Sequence, residues 1–143
     1  MHWYALLSSR GDVPREVRWL AAALVPTLGL AFVILYVFPD SNGERFAWPV
    51  RPRMTAMTLG ATYLLGVFYF TTVLFATRWR DVQIGLLPVT GFATVLGIAT
   101  LLHWDLFNHD MVAFWLWASL YIAVPLVLPI LWWRGNRNAT AEA

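Results

Sequence analysis

The sequence predicts an all-α integral membrane protein, a bundle of four transmembrane helices with short loops, and three observations carry that expectation. First, hydrophobic residues make up 59% of the 143-residue chain and charged residues only 13%, whereas an average soluble domain is roughly 25% charged. Second, four runs of 20 to 24 residues contain no Asp, Glu, Lys or Arg. At about 1.5 Å per residue, each covers a hydrocarbon core of about 30 Å. Third, the joins between the runs are short. The expected organisation is one integral membrane domain over residues 1–143, with spans at 19–38, 54–77, 84–104 and 112–133.

Met1 to Arg18 is polar apart from Trp3-Tyr4-Ala5-Leu6-Leu7. That patch is too short to span and suits the headgroup layer. A cleaved signal peptide fits poorly, because the apolar run starts late and no small-x-small cleavage site follows it. Trp19–Phe38 therefore reads as a retained first span, with aromatics at both ends. Pro39-Asp40-Ser41-Asn42-Gly43 stops it with helix breakers. Phe46-Ala47-Trp48-Pro49 forms an apolar insert expected to dip to the interface, and Pro49 and Pro52 keep the chain extended up to a helix start at Met54.

The second span, Met54–Thr77, places Thr55, Thr58, Thr62, Tyr69 and Thr72 on one face, with Ala56 and Gly60 beside it. The third, Ile84–Trp104, carries Thr90, Ala93, Thr94, Gly97 and Thr100. Lipid tails are as apolar as leucine, so small residues and hydroxyls must hold such helices together. The six-residue turn Arg78–Gln83 makes the two spans antiparallel neighbours. The Thr face of the second is thus expected to pack on the Ala/Gly/Thr face of the third, with Thr58, Gly60, Thr62, Thr90, Ala93, Thr94 and Gly97 as the packing residues. Gly60–Gly66 resembles Gly91–Gly97, which reads as convergence of packing faces and not as a duplicated hairpin. The fourth span, Val112–Trp133, leads into a polar tail.

Seven Arg residues (10, 15, 18, 78, 80, 134, 137) fall on one side of the alternating topology and three (45, 51, 53) on the other. The positive-inside rule then places both termini and the short turn in the cytoplasm of a bacterial-type plasma membrane. On this orientation Pro26, Pro88, Pro125 and Pro129 all lie in cytoplasmic halves of their helices. The structural reading is ordinary tolerance of proline in membrane helices; the functional one is a splayed cavity facing the cytoplasm.

The chemistry is bounded by what is missing. The chain has no Cys, and all ten of its basic residues are Arg. Thiolate chemistry and lysine Schiff bases are excluded. A formal net charge of +2 gives no reason to expect nucleic acid. No Asp, Glu, Lys, Arg or His sits at mid-depth in any span, which disfavours ion-coupled transport. The Asn138-Ala139-Thr140 glycosylation pattern is discounted for its expected cytoplasmic side. One polar cluster remains, His103, Asp105, His109 and Asp110, on the expected outer rim. Two imidazoles and two carboxylates are a donor set for a first-row metal, and a His beside a carboxylate can serve as a base. The bland reading is a solvated rim in which Asp105 or Asp110 caps the fourth helix. No cofactor is predicted, a metal ion at this rim being the alternative. The leading functional expectation is a non-catalytic accessory or self-associating subunit, in contact with the bilayer and with a membrane-protein partner or a second copy. The alternatives are a small membrane enzyme or metal-binding protein using the rim, with Arg51 or Arg53 binding an anion, and a pore or carrier for an uncharged solute.

Overall fold

Among the described residues, four long helices run up and down in the order of the apolar runs. The structure, a computed structural model, describes residues 11–141; His2, the Trp3–Leu7 patch and Arg10 lie outside them. Helix α1 spans Arg15–Phe32 and continues through a π-helical turn, Val33–Val37. Helix α2 spans Arg53–Phe75, α3 Gln83–Leu102 and α4 Val112–Ala141. All four are long and apolar enough to cross a membrane. This is a small integral membrane protein with an all-α, four-helix architecture.

The helix ends follow local chemistry. Pro14 precedes α1 with its φ already near the helical value, and Glu16 lies in the first turn. Pro52 precedes α2, and its carbonyl accepts from the Thr55 and Ala56 N–H groups. At the far end of α2 the backbone turns extended at Ala76. There the Arg18 guanidinium donates to the carbonyls of Leu74 (2.8 Å) and Ala76 (2.7 Å), supplying partners that the helix itself cannot. The loop after α1 is organised by the buried Asn42. Its amide donates to the Pro39 and Val50 carbonyls, and its Oδ1 accepts from the Val50 N–H at 2.7 Å.

Three expectations are corrected by the packing. The second and third spans do not form the expected pair. α1 packs along α2 and α3 along α4, while α2 and α3 stay apart beyond their shared turn. Tyr69 is the wedge: its ring lies over Gly85 of α3 and its hydroxyl donates to the Val82 carbonyl at 2.8 Å. The small residues do mark close contacts, but with other partners. A Cβ at Gly60 would lie 3.0 Å from that of Tyr36, on the π-helical turn after α1, and a Cβ at Gly97 would lie 2.5 Å from the Tyr121 carbonyl oxygen of α4. The hydroxyls of Thr58, Thr62, Thr72, Thr90, Thr94 and Thr100 donate to carbonyls three or four residues back in their own helices. That carbonyl is always within reach in a helix, so these six hydroxyls keep no proton of their own to donate across helices.

The second correction concerns the loops. Phe46 and Ala47 are buried inside the bundle and not spread at its rim. Phe46 meets Tyr63 and Trp117, and Trp48 meets Trp117 and Phe107, all with rings edge-on. The polar tail also differs from expectation, since Arg134–Ala141 continues α4 as helix. Tertiary contact holds it. A Cβ at Gly135 would lie 2.6 Å from the Trp79 indole, Asn136 Oδ1 accepts from Trp79 Nε1 at 2.8 Å, and Ala139 lies against Gly11. Trp79 is fully buried, and its backbone N–H donates to the Gly11 carbonyl at 2.8 Å. The N-terminal segment, the basic turn and the end of α4 thus close one end of the bundle around a single indole.

Candidate binding site between the hairpins

Because α2 and α3 diverge, the two hairpins enclose a cavity of about 480 Å³. Its walls are Leu24 and Leu28 of α1, Thr62, Tyr63, Gly66 and Tyr69 of α2, Gly85, Val89 and Ala93 of α3, and Tyr121 and Val124 of α4. Tyr69 over Gly85 shuts it toward the short turn. It opens sideways between Leu65 and Phe92, which are 69% and 45% exposed and sit near the midpoints of α2 and α3. The mouth therefore faces the acyl chains of a surrounding bilayer. Pro88 lines it; Pro26, Pro125 and Pro129 do not border it.

No charged side chain lines the cavity, and its polar atoms are few. Thr62 Oγ1 donates to the Leu59 carbonyl (2.6 Å) and the Tyr69 hydroxyl to the Val82 carbonyl (2.8 Å). Across the hairpin interface, the Tyr121 hydroxyl donates to the Tyr63 hydroxyl at 3.1 Å, with both side chains buried. Trp117 packs against Tyr121 with the two rings tilted and donates from Nε1 to Thr100 Oγ1 at 3.0 Å. A second cleft of about 200 Å³ lies behind, with Thr27, Ala31, Arg45 and Leu116 among its walls. Leu28, Tyr63 and Leu120 border both, so one layer of side chains separates them.

The outer rim is arranged differently from a ligand set. His103 is exposed, and its Nδ1 lies 3.0 Å from the Ala99 carbonyl. Asp105 and Asp110 are exposed. His109 is packed between the rings of Trp104 and Phe114, with a buried Nε2 that has no partner among the described residues. Among those residues no three His, Asp or Glu groups are placed to share a metal ion. Neither Asp supplies the expected cap; the Asn108 carboxamide accepts from the Asp110 N–H at 3.2 Å instead. Arg53 pairs with Asp40 at 3.5 Å across an exposed surface.

Sequence reasoning missed Tyr63, Tyr121, Trp117, Asn42 and Arg18 as structural centres. Tyr63 and Tyr121 are 58 residues apart, and a tyrosine within a span carries no signal of its partner. Compared with protein-family models, with curated proteins and with solved structures, the chain matches none.

Proposed function

We propose that this chain is a non-catalytic membrane component that holds an uncharged, lipid-soluble molecule between its two hairpins. The observation that carries this reading is the side-opening apolar cavity. Its volume lies within the range of about 300–1,000 Å³ usual for small-molecule sites. Its mouth is at mid-depth, where only a molecule dissolved in the bilayer can enter. Its walls offer no acid, base or metal donor set on which a reaction could run, which supports a binding role over an enzyme. We also take the Trp79 end as cytoplasmic, because the basic turn, Arg15, Arg18, Arg134 and Arg137 gather there.

Filling the cavity tests the reading. The full chain would be released from its own membrane in a mild detergent and weighed intact, beside Val89→Trp. A small stoichiometric mass on the wild type that is absent from a folded Val89→Trp variant is expected. The same mass on both would place the ligand elsewhere, and an added polypeptide mass with no small one would favour a subunit role over ligand binding.

A further inference from the structure

We infer that the molecule this cavity selects is a neutral lipid bearing a carbonyl oxygen, held by a proton of the Tyr63–Tyr121 pair that no protein group accepts. The inference rests on the binding reading above and adds the chemistry of the ligand. Two phenols carry two protons, and their single mutual hydrogen bond, 3.1 Å long, uses one of them. As drawn, Tyr121 donates and the Tyr63 proton has no acceptor among the described residues; were the bond reversed, the Tyr121 proton would be the one left over. Either way one O–H donor stays uncommitted within side chains only 3% and 4% exposed. A buried donor without an acceptor is costly, and this pair lines the cavity.

The other side-chain hydroxyls in the walls are already engaged, Thr62 with Leu59 and Tyr69 with Val82. Helical N–H groups in the walls are likewise occupied. The pair is therefore the one donor the walls offer to an occupant. A carboxylate or phosphate would enter without a cation to meet it, and an ammonium without an anion, so charged headgroups are disfavoured inside. A plain hydrocarbon would fill the space and leave the phenol unsatisfied. A long-chain ketone, quinone or ester satisfies both requirements.

The test uses the full chain in dodecyl maltoside, a detergent without a carbonyl, with 2-heptadecanone, heptadecane and palmitate as probes, at a pH alkaline enough to keep palmitate ionised. Bound probe per chain is measured after removal of the free pool. The wild type is expected to favour the ketone over the alkane by about fivefold, the effect of one net hydrogen bond, and to exclude palmitate. The double variant Tyr63→Phe/Tyr121→Phe should retain the alkane and lose the preference, its alkane binding showing that the cavity is still formed. Equal binding of ketone and alkane by the wild type, uptake of palmitate, or a preference that survives in the double variant would each overturn the inference while leaving the cavity reading intact. Unchanged binding of ketone and alkane by Val89→Trp would instead overturn the cavity reading itself.

Discussion

Single residues carry most of the specificity in this bundle, because hydrocarbon surroundings give no general drive for helices to associate. Of the glycines, Gly97 makes the tightest approach to another helix's backbone. Any side chain there meets the Tyr121 carbonyl, which is backbone and cannot swing aside. Gly97→Leu is expected to separate α3 from α4 and lower stability by about 2 kcal/mol, in the range of overpacked cores, measured by unfolding in mixed micelles. Thr100→Val should cost about 1 kcal/mol in the same assay, because it leaves Trp117 Nε1 without its acceptor; an unchanged midpoint would mean the indole finds another. Gly60 and Gly97 were legible in the sequence as packing residues, since a small residue in a span has few other uses. Their partners were not. Spacing along one helix says which face is smooth and nothing about which neighbour lies against it.

Among the elements, length and apolar character were legible and pairing was not. The six-residue turn made α2 and α3 look like neighbours, and the Tyr69 ring over Gly85 holds them open instead. Gly85→Ala is expected to push that ring from its seat and break its bond to Val82, giving a more protease-sensitive turn with the four helices intact; circular dichroism and limited proteolysis check both. The extension of α4 beyond Trp133 could not be read locally, since Arg134–Asn138 is polar and contains a glycine. It is helical because Trp79, 57 residues away from Asn136, anchors it. Trp79 itself stands in a short basic turn, which gives no local sign of burial. It is buried because three separate chain segments converge on it, and no window of sequence contains that fact. Trp79→Ala should cost about 3 kcal/mol, the usual scale for a buried aromatic, with the loss greatest in protection of the α4 end by hydrogen exchange.

At the scale of the whole molecule, two hairpins share an aromatic seam and part at mid-depth to leave an opening to lipid. The four-helix class was legible from composition alone. The candidate site was not, for it arises from the failure of two adjacent helices to pack. The sidedness is checked on the cysteine-free chain with one introduced thiol at a time. Asn138→Cys is expected to react with an impermeant maleimide only from the cytoplasmic face and Glu44→Cys only from the opposite one, and the reverse pattern would invert the topology. The indole at the closed end also bears on biosynthesis. Gly11 and Trp79 emerge from the ribosome long before Gly135 and Asn136, so the seat on Trp79 stays unroofed until α4 has been inserted. A nascent chain stopped short of that helix would present an uncovered tryptophan beside a loose basic turn. Insertion of α4 is thereby registered at the segment before α1, and a quality-control protease working at that face could distinguish chains that have docked α4 from those that have not.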